Sequence, residues 1–441
     1  MTEMLLFGAG ASKEAGIPTT YELTNKIAEE FRNQSDLQRH SHVVSFVLGG
    51  LLFNQGIRGS DPLTSGVNVE EFFNAIQLLA DRNTLEASPF VGSWHYMVEE
   101  FDKIQPPAPH AKKLQEIIFK SITDKIFSSI PNTLPAFGAR DIDDALKKAI
   151  SRGDYQGFSF KSVGNEIGEF VVAILKRWTQ QLSTSRLSGN DFERAFRRAI
   201  DQTPRPGGGM IFREVADMMI QMLAKFVIVA DAGCVNYLGA LKNLLKSQRQ
   251  LTIASLNYDN CVELFCEKAK LRYDTGIDEW SKSGVFDMED EGILLLKLHG
   301  SIDWKSEDGQ SADRPMPHRI IKRVSLEEVQ KEGHWPAVIF GHRNKLTAEG
   351  PFLDLLRAFQ RELAKADRLT IVGYSFADVH INTYLSHWLN QDSKHRLRIV
   401  DPHFDNLTNI YIMDLKELAA KQIEVRNEPA SKALKTLFET T

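Results

Sequence analysis

The sequence predicts an α/β fold: a doubly wound parallel sheet that carries a large all-helical insertion. Three observations predict it. A short apolar run at residues 4–7 passes directly into glycines at positions 8 and 10. Further short apolar runs, at 251–255, 293–300, 337–341, 369–376, 397–402 and 423–427, all come after residue 250. They are continuous, rich in β-branched residues and closed by Gly, Ser, Asn or Asp, as parallel strands buried on both faces read. Helical patterns at 259–271 and 350–366 carry apolar residues at a spacing of three to four and separate some of these runs, and such β–α alternation is the mark of a doubly wound sheet.

The first strand has no partner nearby. A lone strand is not stable, so residues 4–7 are expected to pair with strands beyond 250. Between them the texture is helical, at 20–31, 68–82, 111–127, 166–182, 190–202 and 211–245, with a Pro/Gly loop at 203–210. The expected domains are therefore 1–25 plus 246–441 for the sheet, and 26–245 for the helical insertion.

Composition narrows the function. With 42% hydrophobic and 25% charged residues, the 441-residue chain can bury a substantial core. A net charge of −5 argues against a generally basic nucleic-acid surface, so nucleic acid is expected only indirectly, through a partner. No apolar run approaches the ~18–20 residues of a membrane span, and residues 4–7 are too few for a signal-peptide core. No membrane association is expected, and the sparse cysteines Cys234, Cys261 and Cys266 fit a reducing, cytoplasmic setting. Three cysteines cannot build a four-cysteine zinc site, and His40, His42 and His95 lack a third ligand at metal spacing, so no metal is expected.

The polar clusters stand where strands end. Gly8-Ala9-Gly10-Ala11-Ser12 and Gly16-Ile17-Pro18 follow the first strand. A strand, Gly-x-Gly and a helix start make a phosphate site, because small residues admit the backbone and the helix N-terminus offers N–H groups. Lys13 stands where the third glycine of the dinucleotide fingerprint belongs, so that fingerprint is incomplete. Asn257 and Asp259, His299, Gly373-Tyr374-Ser375 and Asp401 end later strands. In an open α/β sheet all of these converge on one crevice.

These motifs, in this order, resemble the sirtuin (silent information regulator 2-like) family over the first 25 residues and roughly 250–405. The resemblance implies a Rossmann-like NAD-binding sheet that cleaves the nicotinamide–ribose bond, with NAD as substrate. It implies that Asp259 holds the nicotinamide carboxamide, Asn257 positions water or a ribose hydroxyl, and His299 is the general base. The pyrophosphate would lie on the loop from Gly8 to Ser12, Gly373, Tyr374 and Ser375 would contact ribose or phosphate, and Asp401 would approach the adenosine end. Ala11, Gly16, Ile17 and Pro18 complete the expected NAD loop.

The departures matter as much. Thr19-Thr20-Tyr21 replaces the aromatic–arginine pair of sirtuin deacylases, residues 301–372 hold no cysteine for their zinc module, and Leu256 replaces their usual glutamine. "NYD", "LHGSIDW" and "GYSFADVHIN" resemble instead the bacterial sirtuin-like NAD hydrolases of anti-phage defence, which implies a homo-oligomer and, for chains of this kind, a HerA-type ring ATPase partner. An NAD-dependent deacylase, an ADP-ribosyltransferase and a non-catalytic NAD- or ADP-ribose-sensing subunit are the alternatives.

Several residues carry two readings. Asn257 and Asp259 also suit helix capping. Asp378, His380 and Asn382 either cap a helix or line the pocket. Glu70 and Glu71 are either a first-turn acidic pair or close the NAD site. Arg194, Arg197 and Arg198 form a solvated face or a contact for an acidic partner or nucleic acid, and the Met-rich 218–223 is expected in a core or at a helix–helix interface.

Overall fold

The computed structural model describes residues 2–59, 61, 66–82, 85, 91, 94–103, 209–286, 291–311, 314–331, 336–341, 350–407 and 409–439. The helical patterns at 111–127, 166–182 and 190–202, with Arg194, Arg197 and Arg198, and the loop at 203–208 lie outside the described residues. The chain forms two compact units, Met1–Ile76 with Val215–Thr441, and Gln77–Glu214. In the second, the described residues include the helix Tyr96–Lys103, and Phe101 meets Phe212 edge-on with ring centroids 6.1 Å apart.

The first unit is built on a seven-stranded parallel sheet. Its strands are β1 (Glu3–Phe7), β2 (Gln250–Ser255), β3 (Tyr273–Asp274), β4 (Gly292–Lys297), β8 (Arg368–Val372), β9 (Arg396–Val400) and β10 (Ile423–Arg426). The order across the sheet is β10-β9-β8-β1-β2-β4-β3. All five residues of β1 are buried, and β1 lies between β2 and β8, with Leu5 opposite both Ile253 and Thr370. The N-terminal strand is thus the centre of a sheet whose other strands follow residue 250. After β1 the chain builds outward on the β2 side and then crosses to β8, so the topological switch lies between β1 and β8. That is where an open α/β sheet binds ligands.

The helix Phe352–Leu363 buries Phe352, Leu355, Leu356, Phe359 and Leu363, a stripe at helical spacing within the core that also holds Leu294, Leu369 and Ile371. Trp388, on the helix Val379–Gln391, joins the same core, and its indole donates to the Ala366 carbonyl at 3.1 Å. The helix Met210–Val227 buries Met219 and Leu223, then breaks, and Asn260 holds the following Val229 by its N–H and C=O at 2.8 and 2.9 Å. Among the described residues no single helix is long and apolar enough to cross a membrane.

Two strand expectations need correction. Residues 337–341 do not join the parallel sheet. Their strand, β7 (Pro336–Val338), belongs to an antiparallel three-stranded sheet with β5 (Gly300–Ser311) and β6 (Arg314–Arg323), in the order β6-β5-β7. A short apolar run does not encode its partner, and here a left-handed glycine decides it. Gly300 has φ +84°, and a Cβ there would collide with the Ala337 carbonyl. The chain therefore swings out of the parallel sheet immediately after His299. The run at 423–427 is an edge strand, and β10 is half-buried to exposed rather than covered on both faces.

Candidate functional site

The two glycines of the first loop are explained by a close crossing of backbones. The Gly8 N–H donates to the Val372 carbonyl at 3.0 Å and the Gly10 N–H to the Gly373 carbonyl at 2.8 Å. A Cβ on Gly8 would lie 2.6 Å from the Gly373 oxygen, and one on Gly10 2.8 Å from Gly373 Cα. Gly373 has φ +60°, and its own Cβ would collide with the Gly10 backbone. Loops from the two strands at the switch point thus pack glycine on glycine.

This changes what the loop can offer a ligand. The Gly8, Gly10 and Ala11 N–H groups are engaged within the protein, on the carbonyls of Val372, Gly373 and Gly8. Ala9 begins the 3₁₀ helix Ala9–Ala15, and among the described residues its N–H has no carbonyl partner. Gly16 closes that helix at φ +86° with open space around it, so left-handed backbone alone accounts for it. Thr19 then caps the helix Thr20–Asn33 in a capping box with Glu22, which also pairs with Lys13 at 3.1 Å.

A cavity of about 520 Å³ opens above this crossing. From the first loop Gly8, Ala9, Gly10, Ile17 and Pro18 line it, whereas Ala11, Ser12 and Gly16 do not. Asn257 and Asp259 reach it from the end of β2, His299 from the end of β4, and Asp401 from the end of β9. Gly373, Tyr374 and Ser375 reach it from the end of β8.

Asn257 ties two strand ends together. Its Nδ2 donates to the Gly8 carbonyl at 2.9 Å and to Ser12 Oγ at 3.0 Å. Among the described residues its Oδ1 accepts no bond, so it is the amide oxygen that remains for a ligand. Asp259 Oδ1 accepts the Cys261 N–H at 3.0 Å, just before the helix Cys261–Ala269. Its carbonyl accepts from the buried Lys297 ammonium. Burial alone would pull that ammonium down, but Glu263, 3.3 Å away, with Asp259 and Asp303, holds it above the usual lysine value.

His299 is 6% exposed, and both ring nitrogens are engaged. Nδ1 lies 3.1 Å from the Leu256 carbonyl oxygen. A carbonyl only accepts, so Nδ1 carries a proton. Nε2 lies 3.2 Å from Asp378 Oδ2, so the imidazole and the carboxylate face each other in the cavity. The other oxygen of Asp378 accepts the N–H groups of His380 at 3.0 Å and Ile381 at 3.4 Å, capping the helix Val379–Gln391. Asp378 is therefore both cap and pocket residue. Asn382 braces the loop instead, donating to the Phe376 carbonyl at 2.8 Å and facing the Tyr374 hydroxyl at 3.1 Å. Phe376 itself is held at φ +56°, a strained conformation for an aromatic residue, within the loop that delivers Asp378.

Tyr258, which the sequence does not single out, and Glu70, which it leaves open, also line the cavity. Tyr258 lies between Asn257 and Asp259, and its ring centroid is 6.3 Å from that of His299. Burial, then the Glu70 and Asp378 charges, hold its phenol well above the usual tyrosine value. Its hydroxyl meets the Ile339 carbonyl at 2.8 Å and Glu70 Oε1 at 3.1 Å. Glu70 comes from the helix Val69–Ala80 and lines the cavity, whereas Glu71 does not. The signal available in sequence was an acidic pair starting two residues after Asn68, whose Oδ1 accepts the Glu70 N–H at 2.8 Å. At the far side, burial holds the Asp401 carboxyl above its ordinary value, although the His403 N–H donates to it at 2.7 Å. Among the described residues, no group of three His, Cys, Asp or Glu is placed to hold a metal ion.

Residues 251–426 match the family model of the SIR2-like domain. This stretch is similar to SIR2-like domains. It contains β2 to β10 with Asn257, Asp259, His299, Asp378 and Asp401, whereas β1, its glycine loop and Glu70 lie outside the matched residues. No curated protein matches the chain. Among solved structures, a crystal structure of Sir2 in complex with the inhibitor EX-527, 2′-O-acetyl-ADP-ribose and a deacetylated p53 peptide is similar at 11% identity. That similarity covers 52% of this chain and 78% of that one, with a TM-score of 0.27.

Proposed function

We propose that the protein is an NAD⁺ hydrolase that cleaves the nicotinamide–ribose bond to give nicotinamide and ADP-ribose. The observation that carries this reading is the His299–Asp378 pair, 3.2 Å apart, in one cavity with Asn257 and Asp259 at the switch point of the SIR2-like sheet. The cavity volume of about 520 Å³ lies in the range of small-molecule sites. The Ala9 N–H and the start of the 3₁₀ helix suit one phosphate, and Asp401 suits ribose hydroxyls at the adenosine end.

The chemistry follows from charge. Nicotinamide departs neutral, and positive charge moves onto the ribose in an oxocarbenium-like transition state. Asp259 holds the carboxamide, the Asn257 amide oxygen orients the attacking water, and the His299–Asp378 pair takes its proton. General-base help of this kind contributes about 10²–10⁴-fold. His299 acts through Nε2, since Nδ1 is fixed by Leu256.

A hydrolase that ran constantly would deplete its own cell of NAD. The finer reading is therefore a gated anti-phage effector, a homo-oligomer working with a HerA-type ring ATPase, with residues 26–245 serving assembly and gating. Incubating the purified chain with NAD and identifying products by mass spectrometry tests the chemistry. Nicotinamide and ADP-ribose in equal amounts support it. Intact NAD, with and without the ATPase partner, overturns it, and consumption only with acetylated peptide points to a deacylase.

A further inference from the structure

We propose that Glu70 is a further catalytic residue, placing a carboxylate beside the ribose where positive charge develops. The inference rests on the hydrolase reading and adds a group from outside the SIR2-like stretch. Four observations carry it.

Glu70 lines the same cavity as His299 and Asp378. Its position is built rather than incidental. Asn68 Oδ1 takes the Glu70 N–H at 2.8 Å, and Phe73, one turn on, packs its ring 4.5 Å from that of Phe340. Gly341, at φ +97°, lets the chain pass close beneath, with the Phe73 ring 3.2 Å from where a Cβ would stand.

Tyr258 links Glu70 to the reaction centre. Its hydroxyl is 3.1 Å from Glu70 Oε1, and its ring stands 6.3 Å from that of His299. A helix start gains from an acidic residue, but Glu71 supplies the same charge without facing the cavity.

Two other carboxylates of the cavity, Asp259 and Asp378, are held by contacts within the protein. Asp259 Oδ1 accepts the Cys261 N–H, and Asp378 caps a helix while it holds His299. An oxocarbenium-like transition state is served by a carboxylate on one face and an activated water on the other. In the step itself the C1′–N bond breaks and its electron pair leaves with nicotinamide, neutralising the pyridinium. Water oxygen then bonds to C1′, and its proton passes to the His299–Asp378 pair. Glu70 forms no bond and lowers the energy of the cation between the two events.

The test compares wild type with Glu70→Gln, Glu70→Asp and Glu70→Ala for nicotinamide release, ADP-ribose affinity by calorimetry, and Tm. Glu70→Gln keeps shape and hydrogen bonding and is expected to lower kcat on the order of 10²-fold with KM within about 3-fold. Glu70→Asp, which keeps the charge, is expected to retain more activity than Glu70→Gln. If Glu70→Gln keeps kcat within about 3-fold of an active wild type, this inference falls and the hydrolase reading stands. Equal losses in all three variants together with a lowered Tm mean a structural role and also overturn it. A wild type that releases no nicotinamide overturns the hydrolase reading, and this inference with it.

Discussion

His299 Nε2 faces Asp378 Oδ2 at 3.2 Å while its Nδ1 is held by the Leu256 carbonyl at 3.1 Å. One nitrogen orients the ring and the other faces a buried carboxylate. The proposed acid–base unit is thus a pair whose members come from the ends of β4 and β8. Asp378→Asn is expected to lower nicotinamide release by about 10²–10⁴-fold, with little change in Tm because asparagine caps helices as well as aspartate. Asp378→Ala also loses the cap, a further cost of about 1 kcal/mol. Steady-state kinetics beside thermal melts separates the two effects.

Asn257 joins the loops after β1 and β2 through one amide group. In Asn257→Ala the Gly8 carbonyl and Ser12 Oγ lose their donor, at a cost of about 1–3 kcal/mol. Asn257→Asp is worse, since a carboxylate would face the Gly8 carbonyl oxygen. Urea unfolding is expected to rank stability as wild type, then Asn257→Ala, then Asn257→Asp. A reversed order of the two variants would contradict the donor assignment. Both are expected to abolish nicotinamide release.

The glycine crossing at the switch point makes a graded prediction. Gly10→Ala would push a methyl to 2.8 Å from Gly373 Cα, backbone that cannot step aside. A loss of about 1–3 kcal/mol is expected. Gly16→Ala meets open space and pays only for left-handed backbone, about 1 kcal/mol. Chemical denaturation of both variants checks the order.

Asp401 predicts a pH dependence. Burial raises its carboxyl above the ordinary value, so between its unfolded and folded pKa the folded state binds more protons than the unfolded one. Stability then falls as pH rises through that window, and the penalty is complete above it. Asp401→Asn is expected to raise Tm at neutral pH and to leave it unchanged well below the carboxylate range. Melting curves at the two extremes check this. The same variant is expected to weaken ADP-ribose binding.

Lys297 stands under the Asp259 loop, buried and paired with Glu263 at 3.3 Å. Lys297→Met leaves that carboxylate without its countercharge, a cost of about 3–5 kcal/mol. The double variant Lys297→Met, Glu263→Leu is expected to recover most of it. Equilibrium unfolding of the set tests the pairing.

Much of the sheet was legible because buried parallel strands are written as continuous apolar runs, and residues 4–7 had nowhere else to pair. The strand-end motifs were legible for a related reason: polar residues directly after such a run fall on one edge of the sheet. Residues 337–341 read as one more such strand because an apolar run does not name its partner. Their antiparallel pairing depends on Gly300, whose left-handed turn is one residue long and leaves no periodic trace.

By itself the sequence determined which residues stand at the strand ends: Gly8 and Gly10, Asn257 and Asp259, His299, Gly373 and Asp401. Spacing along the chain governs that, through the period of strands and helices. Only the tertiary structure decided what each one touches. It showed that Gly8 and Gly10 make room for Gly373, that Asp378 is the partner of His299 across 79 residues, and that Glu70 reaches Tyr258 across 188. Contacts so distant in sequence follow from the crossing of β8 to the free side of β1 and from packing of the Val69–Ala80 helix, and no local pattern encodes either.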